Sequence, residues 1–318
     1  MRMKLWLIIA ITLIVIGCAV FTGVMTLLKW DFSKLSTVKY ETNEYRINET
    51  FTNISVVTDT ADIAFAISES AETKVVCYEQ KSGKHTVTAT DGTLCIAVAD
   101  TSKWYEHIGI NFGTPTITVY IPQGEYGSLS IQSDTGDINI PADLTFESID
   151  IRESTGDVIN CASASGSVKI RTSTGNIQIE NIAAAMLDLS VSTGRVTVTD
   201  TVCKNDITVA VSTGQGNLRG IRCRNVVSTG STGDLYLRDV IAAERLSIKR
   251  STGDVTLDSC DAGEIYIETD TGHVSGSLLS DKVFITSTDT GNIHIPKTNN
   301  GGRCEITTST GNIKITVN

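Results

Sequence analysis

A four-residue phrase, Ser or Asp followed by Thr, Gly and a polar residue, recurs along the chain at a nearly fixed interval. It reads Asp134-Thr135-Gly136-Asp137, then Ser154-Thr155-Gly156-Asp157, and again Ser309-Thr310-Gly311-Asn312. Its glycines are Gly136, Gly156, Gly175, Gly194, Gly214, Gly233, Gly253, Gly272, Gly291 and Gly311, each 19 or 20 residues from the next. So regular a period predicts a repeat architecture in which each unit is stabilised by its neighbours.

Aligned on the glycine, the residues fall into columns. Seven and five positions before it stand pairs such as Leu129/Ile131, Ile149/Ile151 and Val168/Ile170, and two and four positions after it Ile138/Ile140, Ile177/Ile179 and Val196/Val198. Polar residues such as Asp150, Gln178 and Thr197 separate them. This period-two alternation predicts two short half-buried strands per repeat. Neither strand can bury its apolar face alone, but stacked copies can. The chain therefore reads as all-β, a β-solenoid (β-helix) of about ten 19–20-residue turns, roughly 45–50 Å long at the usual strand spacing. Glycine supplies the positive φ of a tight corner. The preceding Ser/Asp and Thr are expected to hydrogen-bond the turn and each other up the stack.

Before the repeats, Leu5 to Leu28 is an uncharged apolar run. As a helix it reaches about 36 Å, enough to span a hydrocarbon core. Arg2 and Lys4 precede it and Trp6 and Trp30 flank it. These features predict a single-pass helix with the N-terminus cytoplasmic and the rest extracellular, at the cell membrane. Val15-Ile16-Gly17-Cys18 also matches a lipoprotein box with Cys18 as the lipidated residue, although the apolar run continues beyond it.

The expected organisation is a cytoplasmic tip (1–4), a transmembrane helix (5–28), a juxtamembrane spacer (29–50), a degenerate first rung with a β cap (51–125) and the solenoid repeats (126–318). The first rung, 53–65, carries Ala61 where the glycine belongs. Residues 66–125 break the period but hold strand-like runs at 73–78, 85–90, 93–98 and 116–121, with Asp91-Gly92 as a type I′ hairpin signal. Such an insertion would cover the end of the stack, where backbone groups are otherwise unpaired.

Composition excludes several classes. Only four prolines beside 26 glycines rule out collagen-like or proline-rich chains. A net charge of -10 argues against nucleic acid as a partner and against anionic lipid surfaces for the main body. The corner carboxylates Asp137, Asp157, Asp234 and Asp254 raise the idea of a calcium ladder, but the same column holds Arg195, Gln215 and His273. A solvated polar corner fits better, and no metal or cofactor is expected. Cys203 and Cys223 share a column with Ala184, Ala242 and Ala262 and Cys304 lies in an aliphatic column, so these read as buried thiols. Cys77 and Cys95 lie in the irregular region, where a bridge is an open alternative. The four histidines, His85, His107, His273 and His294, sit in no H-E-x-x-H, and no nucleophile-elbow or phosphate-loop motif occurs. No catalytic residues are assigned and the chain is expected not to be an enzyme. The least repeat-like segment, 102–113, holds Trp104, Tyr105, His107 and Phe112 beside charged residues, which makes it a candidate recognition loop or, alternatively, a plug for the end of the solenoid.

An apolar anchor followed by repeated Ser-Thr-Gly-Asp and Asp-Thr-Gly-Asn turns resembles the bacterial putative-adhesin family of unknown function, over about residues 40–318. The resemblance implies a β-solenoid outside the cell and, for some members, a signalling neighbourhood; it assigns no ligand residues. Arg195, Gln215 and His273 depart from the family's Asp/Asn corner, and an extra phrase, Val227-Ser228-Thr229-Gly230, is read as a turn that disturbs its rung. The expected function is a membrane-anchored, non-catalytic binding or adhesion module of the cell envelope, with cell-wall glycan or an envelope protein as partner. The alternatives are an accessory sensor of a membrane envelope-stress system and, third, a carbohydrate-active β-helix enzyme.

Overall fold

The computed structural model describes residues 2–31, 39–70, 72–99 and 113–318. One helix, α1 (Arg2–Leu27), holds a segment, Trp6–Leu27, long and apolar enough to cross a membrane. It stops where Lys29 and Trp30 both take left-handed φ and the Trp30 N–H donates to Met25 O at 2.8 Å. That is the usual way of closing a helix C-terminus.

The rest is strand. Successive turns stack in parallel and in register, Ile149 on Leu129, Val168 on Ile149 and Leu187 on Val168. The apolar columns point inward and, the outermost rung apart, are essentially fully buried from Leu129 to Ile315. Their alternation with exposed polar residues is the physical basis of the period: a one-residue slip would turn the whole apolar set to solvent.

Each turn has three sides, where the alternation predicts two. The third is short. It places a pair of small or branched residues inward, Ile182/Ala184, then Thr201/Cys203, Ile221/Cys223 and Val240/Ala242. Its strands register in parallel, Ala184 on Cys203 and Cys223 on Ala242. A second corner introduces it. Asn181, Asp200, Gly220, Asp239 and Ser259, all six residues after a phrase glycine, have φ of 53°, 48°, 62°, 52° and 55°. Asn, Asp and Gly are the residues that tolerate this left-handed conformation.

At the glycine corner the chain approaches its own copy most closely. Gly175, Gly194 and Gly214 have φ of 141°, 149° and 134°. A Cβ at Gly194 would overlap the carbonyl oxygen of Gly175, and one at Gly214 that of Gly194. Only glycine satisfies both demands.

Stacking order departs from chain order at both ends. Strands β2 (Asn53–Thr60) and β3 (Asp62–Ile67) form the degenerate rung, which packs under β8 (Gly124–Thr135) and β9 (Ile138–Ile140). Ala61 serves at its corner because its φ is not left-handed. Beneath it lies a further parallel rung, β6 (Thr93–Val98) and β7 (Thr116–Ile121). Strand β4 (Thr73–Gln80) pairs antiparallel with β7, and β5 (His85–Thr90) antiparallel with β6 through Asp91-Gly92, whose φ values of 50° and 72° make the expected type I′ turn. Strand β1 (Tyr40–Ile47) then covers β4 antiparallel. Residues 40–47, expected as spacer, are thus part of the cap, and Tyr45 and Ile47 pack on the core.

At the other end the strand Gly302–Thr310 stacks directly on the Gly272 turn, and Lys282–Thr290 stacks on Gly302–Thr310 in turn. The Gly311 turn is therefore inserted between the two that precede it in sequence. The outermost rung leaves Val283, Ile285 and Ile293 40%, 48% and 41% exposed.

Candidate functional site

The repeat phrase is the first place to look for a ligand, and its polar groups are engaged within the stack. The backbone N–H of Asp137 donates to Asp62 Oδ1, that of Asp157 to Asp137 Oδ1, and those of Asn176 and Arg195 to Asp157 Oδ1 and Asn176 Oδ1, all at 2.8–3.0 Å. The ladder resumes from Asp234 Oδ1 to Asp254 N–H at 2.9 Å, then from Asp254 Oδ1 to His273 N–H at 2.7 Å. His273 Nδ1 accepts the Asn312 N–H at 2.9 Å, and Asn312 Oδ1 that of Asn292 at 2.9 Å. One requirement unites Asp, Asn and His here: an acceptor at the δ1 position that reaches the next rung. Arg195 and Gln215 supply none at that position; Arg195 Nη2 instead donates to Gln215 Oε1 at 3.2 Å. The braces come from the residue after the glycine, not from the Ser/Asp-Thr before it as the sequence suggests. Among the described residues the pre-glycine side chains make one marginal rung-to-rung bond, Ser154 Oγ to Asp134 Oδ1 at 3.5 Å.

Val227-Ser228-Thr229-Gly230 is not a turn. It lies within a continuous strand, Asp206–Thr232, and the irregularity falls between Cys223 and Asn225. Gly230 has a packing role. A Cβ there would overlap Nη1 of Arg250, a side chain only 1% exposed. Arg250 Nη2 donates to Ser228 Oγ at 3.0 Å, and Gly216 leaves room beside it. The phrase reappears out of period because an arginine on the next rung needs the space.

The outward faces carry rung-to-rung ion pairs: Arg171–Asp188, Arg238–Asp258, Arg245–Glu264 and Lys249–Glu268, at 2.8–3.1 Å. Exposed pairs of this kind add little stability, a few tenths of a kcal/mol each to about 1 kcal/mol. They do set the chemistry of the surface. A groove of about 520 Å³ crosses three stacked rungs and is lined by Arg245, Ser247, Glu264, Tyr266, Arg303 and Glu305. Tyr266 Oη donates to Glu268 Oε2 at 2.7 Å, which holds its ring along the face.

The cap holds a second constellation. Glu79 is completely buried, with Oε2 accepting both the His85 backbone N–H and a 2.7 Å bond with His85 Nδ1. Asn43 Nδ2 donates to Glu79 Oε1 at 2.7 Å, and His85 Nε2 meets Thr58 Oγ1 at 3.0 Å. Cys77 lies on the same face of β4, fully buried, and burial followed by the nearby Glu79 charge pushes its thiol up to about 12. His85 and Thr58 also line a cleft of about 480 Å³ with Val57, Asp59, Thr60 and Gln80.

Cys77 and Cys95 are free thiols, as are the buried Cys203, Cys223 and Cys304. Burial pushes the Cys203 thiol up to about 11 and the Cys223 and Cys304 thiols to about 12, as small apolar side chains require. Trp104, Tyr105, His107 and Phe112, the candidate recognition loop, lie outside the described residues.

The Toastrack DUF4097 family model matches residues 51–210 and 196–318, and the chain belongs to that family. No curated protein is significantly similar. Among solved structures, a putative adhesin from Bacteroides fragilis NCTC 9343 is 14% identical, covering 87% of this chain and 97% of its own, with a TM-score of 0.44. A putative lipid binding protein from Parabacteroides distasonis ATCC 8503 is 15% identical over 76% of this chain and 95% of its own, TM-score 0.48. A putative adhesin from Parabacteroides merdae ATCC 43184 is 12% identical over 87% and 96%, TM-score 0.40.

Proposed function

We propose that this chain is a membrane-anchored, non-catalytic binding module that displays its solenoid on the extracellular side of the cell envelope, where it holds an extended polar polymer such as a cell-wall glycan. The observation that carries the reading is the groove over three rungs at Arg245, Tyr266 and Arg303. A surface repeated every rung suits a ligand that is itself repetitive. Paired cations and carboxylates beside a tyrosine ring offer hydrogen bonds and an apolar plate to a sugar chain. Helix α1 supports anchoring by its length and apolar composition. Residues 102–113 remain a second recognition candidate on sequence grounds.

The test is cosedimentation of the full chain, purified in detergent, with isolated cell-wall sacculi and with soluble glycans. Tyr266→Ala and Arg303→Ala are expected to weaken retention at least tenfold with unchanged melting. Trp104→Ala reports on the loop separately. Retention equal to that of a blank protein, or retention indifferent to all three changes, overturns the reading.

A further inference from the structure

The solenoid interior is mostly apolar, with Glu153, Arg250 and Lys282 buried singly, and the cap places a carboxylate and an imidazole together on its inner side. Val75, Cys77 and Glu79 alternate along one face of β4, and His85 enters from the first position of β5. Burying a carboxylate and an imidazole together in such an interior is a poor way to stabilise a fold. The desolvation of two ionisable groups is seldom repaid by their attraction, and well-packed aliphatic residues do as well or better. The arrangement therefore calls for another reason.

We propose that Cys77, Glu79 and His85 form a zinc site in the cap. A cysteine sulfur, an imidazole nitrogen and a carboxylate oxygen are the ligand types zinc takes. The three candidate atoms all lie within 4.8 Å of one another. Ligand atoms around a four-coordinate zinc are separated by roughly 3.5 Å, so modest movements of side chains bring them together. Each oxygen or nitrogen not needed for the metal is already held from behind. Asn43 fixes Glu79 Oε1 and Thr58 engages His85 Nε2, leaving Oε2 and Nδ1 directed at each other. Outer partners of this kind orient the ligands of metal sites. Among the described residues Cys77 Sγ makes no hydrogen bond, while two other buried thiols, Cys223 and Cys260, donate to backbone carbonyls.

Loading balances simply. Zinc takes Nδ1 and Oε2 and displaces the thiol proton to solvent, and the proton that joined Nδ1 to Oε2 ends on Nε2, donated to Thr58 Oγ1. A cleft lined by His85 and Thr58 runs beside the site, while Cys77 and Glu79 are fully buried, so entry needs the cap to open; the three protein ligands leave a fourth position for water. Three protein ligands with one open position describe an exchangeable rather than a closed site. The segments it ties together are the outer strands that cover the end of the stack: β4 and β5 directly, β1 through Asn43 and β2 through Thr58.

The experiment uses the full chain without a polyhistidine tag, in detergent, stripped by chelator and titrated with Co²⁺ and then Zn²⁺. The expected result is one Co²⁺ per chain with a thiolate-to-cobalt charge-transfer band, bleached by Zn²⁺, and a zinc-loaded protein that melts at higher temperature than the stripped one. Cys77→Ser is expected to abolish the band and Glu79→Gln to lower affinity at least tenfold. Asn43→Ala, which touches no metal, should lower it 10–100-fold, while Cys304→Ala at the far end changes nothing. Should Cys77→Ser not fold, the wild-type titration and Asn43→Ala still decide. Less than stoichiometric uptake by the wild type, a spectrum with no thiolate band, or affinity unchanged in Asn43→Ala and Glu79→Gln overturns the proposal.

Discussion

Replacing Gly194 by alanine puts the corner under the most direct stress. Gly194 has φ of 149°, and its added Cβ would overlap Gly175 O and come within 3.3 Å of Val191 Cγ1. Holding a non-glycine residue in that conformation costs about 1–3 kcal/mol. The overlap is with backbone, so relief requires the rung below to move. That movement strains the bond from Gly175 N–H to Thr193 O, 3.0 Å long and worth about 1 kcal/mol, and adds overpacking of roughly 1–3 kcal/mol. The sum is about 3–7 kcal/mol, a large fraction of the stability of an ordinary domain. The control is Gly92→Ala in the type I′ hairpin. Its φ is also positive, 72°, but nothing lies within 4 Å of the new Cβ, so only the left-handed penalty of about 1–2 kcal/mol applies. Urea unfolding of the full chain in detergent, followed by circular dichroism, measures both. A Gly194→Ala loss below about 1 kcal/mol, or a Gly92→Ala loss as large as that of Gly194→Ala, would refute close rung-to-rung contact as the reason for the glycine.

Other expectations follow from single observations. Gly230→Ala should destabilise by about 2–3 kcal/mol, and a double-mutant cycle with Arg250→Thr should show coupling of at least about 1 kcal/mol, because much of the clash is with that guanidinium; additivity would dismiss the packing account. Burial first, with the charge of Asp134 adding to it, pushes the Glu153 carboxyl from 4.5 up to about 7. The folded state then holds its proton more tightly than the unfolded one, so stability declines as pH rises from about 4.5 to about 7 and is level above. Glu153→Gln removes that decline: melting of variant and wild type should coincide near pH 4.5, with the variant higher at pH 8. His273→Asn keeps an acceptor for the Asn312 N–H and should melt within about 2 °C of wild type, whereas His273→Ala should lose roughly 1 kcal/mol.

The solenoid was legible because its two determinants are local and repeated: glycine at the corner, and apolar residues two apart on either side of it. The second corner was harder to see. Its left-handed residue is met by Asn181, Asp200, Gly220, Asp239 or Ser259, a mixture that looks like ordinary surface polarity until the backbone angles are known. Stacking order was not legible at all. The Gly291 and Gly311 turns carry the same phrase and the same isoleucines two and four residues after it, and these features are equally consistent with either order. The buried cluster did leave a trace. Extending the alternation of Val75 and Cys77 by one more step puts Glu79 inward, a charged residue in an apolar phase. His85 carries no such trace, since only the turn after β4 brings it back to Glu79. Glu153 and Arg250 occupy one column, three residues before the glycine, shared with Ser133, Thr172 and Thr269. Its burial follows from continuing the period-two alternation one step beyond the positions seven and five before the glycine.

Corner Asp residues that brace the next rung need their Oδ1 acceptor but not their charge, whereas calcium ligands need both. The most direct measurement is the thermal melt of the full chain with Asp137, Asp157, Asp234 and Asp254 all changed to Asn, with and without millimolar calcium. Asparagine keeps the Oδ1 acceptor that each bond needs and discards the charge a calcium site needs. The account predicts a melting temperature within a few degrees of wild type and no response to calcium in either protein. A wild type that melts higher with calcium, together with a variant that collapses and loses the response, would contradict it.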